Sequence, residues 1–282
     1  MSPSPTPILL LPGSWHGAWC WNEVLAHLVP YGRPTLAVDM AGHGLRARRP
    51  KCLTIRPFDP AALATEISPV ATVDLDQAAD LLLAQIKQLG RGGPVTVVAH
   101  SMGGPVLTRV AQQAADLVAH AVYLTAVMPA SGNPAAPYFT LPENAGALVL
   151  PALRGDPAVT GALRLDLASN DHAYRRHLRE AFYSDVAPIV ADAALGLLTP
   201  DAPASMTHGS TQLTHDGWGS VPRTYIVCTR DMAIRPALQH LFITEADTAF
   251  PHNPTSVVTL DAAHAPFLSI PDEIARIVAA LG

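Results

Sequence analysis

Six short apolar segments recur along the chain, and each is continuous rather than alternating with polar residues. They are Ile8–Leu11, Thr35–Val38, Val95–Ala99, Ala121–Val127, Thr224–Cys228 and Ser256–Leu260. Strands that are buried on both faces have this pattern, because the helices of an α/β fold cover a parallel sheet on each side. The sequence therefore predicts a mostly parallel sheet inside a shell of helices.

Segments with helical periodicity lie between several of these predicted strands. Residues 74–89 begin with an aspartate, which is a capping residue, and end before a glycine. Apolar positions repeat every three or four residues in 105–118, and 271–281 begins with a proline in the first turn. Strands that alternate with helices predict right-handed crossovers, and so an α/β fold with a doubly wound sheet.

Two segments interrupt this alternation. Residues 44–73 are rich in proline and arginine and show no clear long element. Residues 129–217 contain helix-like segments at 171–183 and 186–198, and an unstructured loop of that length would be unusual. We therefore predict a core formed by residues 1–128 and 218–282, with an inserted, mainly helical cap at 129–217.

Composition narrows the class of protein. The chain has 282 residues, of which 49% are hydrophobic and 15% charged, and its net charge is -5. An acidic chain lacks the clustered cations that nucleic-acid binding requires, so we expect no nucleic-acid partner. Its apolar segments are too short for a membrane span or a signal peptide, which predicts a cytoplasmic protein without membrane association.

The three cysteines, Cys20, Cys52 and Cys228, are an odd number without the spacing of metal ligands. We interpret them as reduced thiols.

The segment 97–104 (VVAHSMGG) carries the strongest chemical signal. An apolar strand leads directly into Ser101, small residues flank the serine, and an amphipathic helix follows. This arrangement is typical of hydrolases whose nucleophilic serine projects from a tight, strained turn, and the small residues at Ala99 and Gly103 avoid collisions there. The sequence therefore predicts Ser101 as a nucleophile.

A serine hydroxyl becomes a good nucleophile only when a base removes its proton. Among the twelve histidines, His264 follows the last predicted strand and precedes the last helix. That position places it in a loop at the carboxyl edge of the sheet, where α/β folds build their sites. Other histidines, such as His120 and His240, are expected in helices or on the surface, and His16 and His100 are interpreted as structural hydrogen-bonding residues.

Asp231 supplies the expected third member, because it comes three residues after the strand 224–228. Its role would be to fix the tautomer of the imidazole and stabilise the imidazolium. The order serine, aspartate, histidine is the order of this class of hydrolases. Asp201 and Asp216 are weaker alternatives, because neither follows a clear strand, and the turn after Asp39 is interpreted as structural.

An oxyanion formed at the substrate carbonyl needs two hydrogen-bond donors. One candidate is the backbone N–H of Met102, which begins the helix after the nucleophile. The other is the backbone N–H of Ser14, in the turn that follows the first strand.

Four segments match a known pattern: 13–21 (GSWHGAWCW), 39–44 (DMAGHG), 99–104 (AHSMGG) and 225–231 (YIVCTRD). Together they resemble the α/β-hydrolase superfamily, and within it the branch of plant methyl esterases, salicylate-binding esterases and hydroxynitrile lyases. The histidine segment 263–269 (AHAPFLS) is similar to bacterial esterases. The resemblance covers the core and implies hydrolysis of a carboxylic ester, with neither a cofactor nor a metal ion.

The chain departs from this pattern in informative ways. Hydroxynitrile lyases carry a lysine after the catalytic histidine and a threonine in the first turn, where this chain has Ala265 and Gly13. Both differences disfavour lyase activity. Epoxide hydrolases and dehalogenases have an aspartate where Ser101 stands. Because 44–73 is longer than the usual connection of the family, substrate identity does not transfer.

The predicted cap is rich in aromatic residues that would suit an apolar or aromatic substrate group. We predict the pocket residues Trp15, Met128, Tyr138, Phe139, Phe182, Tyr183 and Trp218. Taken singly, packing within the cap explains each of them more readily. The basic cluster within 46–56 is interpreted as a solvated loop rather than a site for an acidic ligand.

The sequence thus predicts a serine hydrolase that cleaves a small to medium, apolar or aromatic carboxylic ester through an acyl-enzyme. Two alternatives remain open. One is a non-hydrolytic enzyme on the same scaffold, such as a lyase, a cyclase that forms a lactone, or an acyltransferase. The other is a ligand-binding protein without turnover. The sequence does not determine the oligomeric state, and a homodimer is possible.

Overall fold

A sheet of six parallel strands forms the centre of the computed structural model, which describes residues 5–281. The strands of the described chain are β1 (Ile8–Leu11), β2 (Thr35–Ala37), β3 (Val95–His100), β4 (Val118–Leu124), β5 (Ala162–Arg164), β6 (Asp201–Pro203), β7 (Arg223–Cys228) and β8 (Ser256–Leu260). The order in the sheet is β2-β1-β3-β4-β7-β8, with all neighbours parallel. Strands β5 and β6 form a separate antiparallel pair.

The described chain also forms helices, several of which cover the two faces of this sheet. They are α1 (Asn22–Leu28), α2 (Pro60–Thr65), α3 (Leu75–Gly90), α4 (Gly103–Gln113), α5 (Val149–Ala152), α6 (Pro157–Thr160), α7 (His172–Tyr183), α8 (Pro188–Leu197), α9 (Pro236–Ala249), α10 (Pro266–Ser269) and α11 (Pro271–Ala279). Helices α3, α4 and α9 share one apolar cluster with one set of strand residues, and α1, α10 and α11 share another with the alternate set. The doubly wound α/β fold is confirmed.

Local signals explain where several helices begin. The carboxylate of Asp74 accepts the N–H of Gln77 at 2.9 Å, and that of Asp171 accepts the N–H of Ala173 at 2.8 Å. Such caps satisfy N–H groups that have no partner within the helix. The predicted helices at 74–89, 171–183, 186–198 and 271–281 correspond to α3, α7, α8 and α11. Helices α1 and α9 were not predicted.

The fourth strand begins earlier than the sequence predicted. It spans Val118–Leu124 rather than 121–127, and the helix predicted to reach residue 118 ends at Gln113. His120 therefore lies in β4, where its Nε2 is 2.9 Å from Thr224 Oγ1 on the neighbouring strand. The strand ends before Thr125, whose positive φ of 38° is incompatible with extended backbone.

The edge strands differ from the buried pattern that was predicted. Leu36 in β2 is 39% exposed and Val257 in β8 is 45% exposed. Four of the five residues of β8 are exposed or partly exposed. An edge strand pairs on one side only and is covered less completely, so the prediction of two buried faces is corrected for β2 and β8.

Residues 44–73 contain two short 3₁₀ turns and α2, and they pack against the insertion. The buried guanidinium of Arg164, in β5, forms an ion pair with Asp201 in β6 at 2.8 Å. It also donates to the backbone carbonyls of Leu63 at 2.8 Å and Glu66 at 2.9 Å. One arginine therefore connects both strands of the insertion to the 44–73 segment. The boundaries of the cap at 129 and 217 stay a prediction.

Besides His264, three histidines of the described chain are buried: His16, His43 and His100. Burial disfavours a charged imidazolium. It lowers the pKa of His16 to about 3 and that of His43 to about 4, and it brings the pKa of His100 well below its usual value. All three are therefore neutral near neutral pH.

Within residues 5–281, each helix is too short or too polar to cross a lipid bilayer.

We expect the free energy of unfolding to fall as the pH drops below about 6.5. The unfolded chain takes up protons at its histidines near that pH, whereas folded His43 and His16 take them up only near pH 4 and 3. Each such histidine should cost about 1.4 kcal/mol per pH unit within this interval. Urea unfolding between about pH 7 and pH 5 measures how the free energy of unfolding changes with pH. This slope reports the number of protons taken up on unfolding, and His43→Gln should reduce that number by about one. An unchanged slope in that variant would contradict the assignment.

Candidate active site

Ser101 stands in the turn between β3 and α4, with a positive φ of 52°. Such a conformation is costly for a residue with a side chain and persists only where the surroundings impose it. Two glycines allow the tight approach. A Cβ at Gly13 would lie 2.5 Å from the Cβ of Ser101, and one at Gly103 would lie 2.8 Å from the carbonyl oxygen of Pro12.

The three side chains predicted as a triad form one chain of hydrogen bonds. Ser101 Oγ is 3.1 Å from His264 Nε2, and His264 Nδ1 is 2.8 Å from Asp231 Oδ2. A carboxylate only accepts, so Nδ1 carries the proton and Nε2 is free to accept the serine hydroxyl. His264 lies in the loop between β8 and α10 and is 2% exposed, while Asp231 is fully buried after β7.

Asp231 is held by donors from several elements. Its Oδ1 accepts the backbone N–H of Ala233 at 2.7 Å and of Ile234 at 3.0 Å. Its Oδ2 also accepts the hydroxyl of Thr125, which follows β4, and the side-chain N–H of Gln239 in α9 at 3.4 Å. These bonds stabilise the negative charge and aim the carboxylate at the imidazole.

The sequence interpretation missed Thr125 and Gln239. Thr125 directly follows β4 in the structure, but it lay inside the segment 121–127 that the sequence predicted as a strand, so its position at the carboxyl edge gave no signal. Gln239 lies within a helix that was not predicted, so no local pattern indicated it.

Two buried histidines hold the loops of the site, as interpreted from sequence. The Nδ1–H of His16 donates to the carbonyl of Ser14 at 2.9 Å, and the hydroxyl of Tyr183 donates to His16 Nε2 at 2.8 Å. The Nε2–H of His100 donates to the backbone carbonyl of His264 at 2.8 Å. The turn after β1 and the histidine loop are thereby fixed from within the core.

The predicted oxyanion donors lie beside Ser101. Ser14 and Met102 line the same cavity as Ser101. Across residues 5–281, neither of their backbone N–H groups has a hydrogen-bond acceptor in the protein. The N–H of Met102 also lies at the start of α4, where the helix dipole favours negative charge.

A cavity of about 200 Å³ opens beside Ser101 and His264. Its walls are largely apolar, and no Asp, Glu, Lys or Arg of the described chain lines it. Besides Ser14, Ser101, Met102 and His264, its lining consists of Trp15, His16, Ala136, Phe139, Thr140, Val149, Leu150, Pro157, Leu163, Phe182, Ala204, Thr207, His208, Ala233 and Ile234. Three predicted pocket residues, Trp15, Phe139 and Phe182, are therefore at the cavity.

Four other predicted pocket residues do not line it, and the prediction is corrected for Met128, Tyr138, Tyr183 and Trp218. The hydroxyl of Tyr138 donates to the carboxylate of Glu245 at 2.6 Å, and the indole N–H of Trp218 donates to the hydroxyl of Tyr123 at 2.7 Å. Tyr183 binds His16, and Met128 packs in the apolar core. The polar groups of Tyr138, Tyr183 and Trp218 are thus bonded within the fold rather than offered to the cavity.

The remaining candidates have structural surroundings. Asp201 is paired with Arg164, and Asp216 is exposed. Asp39 accepts the N–H of Ala18 at 2.7 Å and of Leu45 at 2.9 Å, which holds the turn after β2. The cysteines are free and buried. In the described part of the chain, no three His, Cys, Asp or Glu side chains form a group that could hold a metal ion.

Comparison with curated proteins finds relatives along nearly the whole chain. Methylesterase 9 of Arabidopsis thaliana is 27% identical over 279 residues, which cover 94% of each protein. Probable hydrolase R7 of Phoma sp. is 27% identical over 284 residues, which cover 96% of each.

Solved structures share the fold. A pyrethroid hydrolase from Sphingobium faniae superposes with a TM-score of 0.72 at 22% identity, covering 98% of this chain and 96% of that one. The methylesterase MES16 of Arabidopsis superposes with a TM-score of 0.69 at 21% identity, covering 98% of both chains. A sequence model of the alpha/beta hydrolase family matches residues 8–277. This match spans nearly all of the chain, and the protein therefore belongs to the alpha/beta hydrolase family.

Proposed function

We propose that this protein is a serine hydrolase that cleaves a carboxylic ester through an acyl-enzyme. The observation that carries the proposal is the continuous hydrogen-bonded chain of Ser101, His264 and Asp231 beside an apolar cavity. Relatives that are named methylesterase or hydrolase support ester hydrolysis as the reaction class.

The reaction begins when Ser101 Oγ attacks the ester carbonyl and His264 Nε2 takes the hydroxyl proton. The new oxyanion accepts hydrogen bonds from the backbone N–H groups of Ser14 and Met102. The imidazolium, stabilised by Asp231, then protonates the departing alcohol. Water enters, gives a proton to His264 and attacks the acyl-enzyme. The tetrahedral intermediate collapses, and the serine regains its proton as the acid leaves.

The cavity favours an uncharged substrate of small to medium size. It is lined by Trp15, Phe139 and Phe182 and by aliphatic side chains, and its volume is about 200 Å³. An apolar or aromatic acyl or alcohol group would bury its surface there. A charged group would lose its hydration without a partner, which is strongly unfavourable. The named methylesterases make methyl esters a natural first test.

Structural observations disfavour two of the alternatives, the ligand-binding protein and the lyase. A protein that only binds its ligand has no need of a serine in a strained turn that is hydrogen-bonded to an oriented imidazole. The lyase alternative would need polar groups at Gly13 and Ala265, yet a Cβ at Gly13 would collide with Ser101, and Ala265 is fully buried. No observation favours a cyclase or an acyltransferase.

Ser101 should react with a fluorophosphonate probe, and Ser101→Ala should lower kcat by about 10⁴-fold or more because the nucleophile is removed. Mass spectrometry of the labelled peptide and hydrolysis of an aryl ester give the two measurements. Ser256→Ala, which changes an exposed serine of β8, is the matched control and should keep full activity. Folded protein with an unlabelled Ser101 would contradict the proposal.

Neutral esters should be preferred over anionic esters of the same size. We expect kcat/KM to fall by about 10²-fold when the acyl chain ends in a carboxylate rather than a methyl group, because no Lys or Arg of the described chain lines the cavity to pair with this charge. Leu150→Lys, at a lining residue that is 40% exposed, should narrow that difference. Equal kcat/KM values for both esters in the wild-type protein would contradict the expectation that the cavity disfavours a charged acyl chain.

Tyr183→Phe should lower kcat by about tenfold and leave KM nearly unchanged. The substitution removes the hydroxyl that donates to His16, which in turn holds the carbonyl of Ser14. A buried acceptor left unpaired costs about 1–3 kcal/mol, and part of that cost should appear as a displaced oxyanion turn. Tyr31→Phe, at a tyrosine that is 48% exposed, is the control. A kcat equal to that of the wild type would show that the turn does not depend on this bond.

A further inference from the structure

The turn between α7 and α8 in the insertion places one carboxylate against the histidine loop. Asp185 lies in this turn, and its side chain is only 6% exposed. Its Oδ2 accepts the backbone N–H of Ala263 at 2.8 Å and the hydroxyl of Ser269 at 2.9 Å. Ala263 directly precedes His264, and Ser269 ends the short helix α10 that follows it.

The bond to Ala263 satisfies a backbone group that the fold otherwise leaves unpaired. Ala263 is 1% exposed, and water cannot readily replace a lost acceptor there. A buried N–H without a partner costs about 1–3 kcal/mol, and a loop can relieve that cost by shifting. Removing the carboxylate of Asp185 should therefore move or loosen the backbone next to His264.

The histidine loop is thus held from two sides. On the core side, the Nε2–H of His100 donates to the carbonyl of His264 at 2.8 Å. On the insertion side, Asp185 accepts the N–H of the preceding residue, Ala263. The imidazole must stay within reach of Ser101 Oγ, at 3.1 Å, and a displacement of about 1 Å can cost about 10²-fold in rate.

Asp185 also lies near the second triad loop. The guanidinium of Arg230, which directly precedes Asp231, is 3.8 Å from the Asp185 carboxylate and forms a closer ion pair with Asp261 at 3.0 Å. The Arg230 side chain is 52% exposed, so this longer contact contributes little energy. The backbone bond to Ala263 is the contact that matters.

We propose that Asp185 is a positioning residue that holds the His264 loop through the backbone of Ala263, so that the insertion fixes the geometry of the general base. Its kinetic consequence rests on the proposed ester hydrolysis. The carboxylate does not contact the reacting atoms and acts only through the loop. The insertion therefore determines the rate of the chemical step as well as the shape of the cavity.

Three variants test the kinetic consequence. Asp185→Ala should lower kcat by about 10- to 100-fold with KM within about threefold of the wild type, because the base is displaced while the cavity is kept. Asp185→Asn should stay within about threefold of wild-type kcat, since its amide oxygen can accept both hydrogen bonds of Oδ2. Asp192→Ala is the matched control: this carboxylate of α8 pairs with Arg179 at 2.7 Å and should leave kcat unchanged.

Two kinetic results would overturn the proposal. Wild-type kcat in Asp185→Ala would show that the bond to Ala263 does not hold the base. An Asn variant as slow as the Ala variant would assign the effect to charge rather than to positioning.

Amide hydrogen exchange tests the same contact without any substrate. The segment 261–270 should exchange faster in Asp185→Ala than in the wild type, Asp185→Asn or Asp192→Ala, while β3 serves as an unchanged reference for global stability. Equal exchange of this segment in all four proteins would refute the proposal. The two proposals can also fail separately. If the Ala variant exchanges faster but the wild-type protein neither hydrolyses esters nor reacts with the probe at Ser101, only the proposed function is refuted.

Discussion

The hydrogen bond between His264 Nδ1 and the buried carboxylate of Asp231 is the interaction on which the site depends. It decides which imidazole nitrogen carries the proton, and so which one faces Ser101. A carboxylate can be buried in this way only if donors compensate for its lost water. The backbone N–H groups of Ala233 and Ile234 and the hydroxyl of Thr125 provide that compensation. Because Thr125 follows β4 and Asp231 follows β7, the orientation of the His264 imidazole depends on these two strands being neighbours.

The close approach of backbones around the nucleophile is the second constraint. Ser101 keeps a positive φ because the β1 turn, β3 and α4 meet around it, and a side chain at Gly13 or Gly103 would collide there. The parallel sheet makes this approach possible, since β1 and β3 are neighbours whose carboxyl ends lie at the same edge. The turn after β1 and Ser101 are thus neighbours because of the strand order.

Features that depend on a single segment of the chain could be predicted from the local sequence pattern. Two of the six strands in the sheet agree with their apolar segments at both ends, and Ser101, Asp231 and His264 each follow a strand directly or within a few residues. Strand ends share one edge of a parallel sheet, so the order of the segments was enough to bring the three residues together. The start of β4 was misplaced because the preceding residues are also apolar and read equally well as helix.

The pocket could not be predicted in the same way. Whether an aromatic ring faces a cavity depends on a partner that is remote in the chain. Tyr138 is turned away by Glu245 and Trp218 by Tyr123, and neither pair has a signature in local sequence. Phe139 and Phe182 carry no polar group that needs such a partner, and both line the cavity. Trp15 shows that a bonded polar group does not by itself decide the outcome, because its indole N–H donates to the carbonyl of Leu163 at 2.8 Å and its ring still lines the cavity. The position of the remote partner, which local sequence does not encode, decides where each ring faces.

The insertion packs against the core and binds two loops of the candidate site. Residues of α7 and α8 belong to the same apolar cluster as β1, α1 and α11, so their packing is continuous with the core of the sheet. The end of α7 binds the oxyanion turn through Tyr183 and His16, and the next turn binds the histidine loop through Asp185. A change that moves α7 would also move groups that hold the turn after β1 and the loop of His264. If the proposed function holds, substrate preference and rate are therefore coupled through this helix, because Phe182 of the same helix lines the cavity.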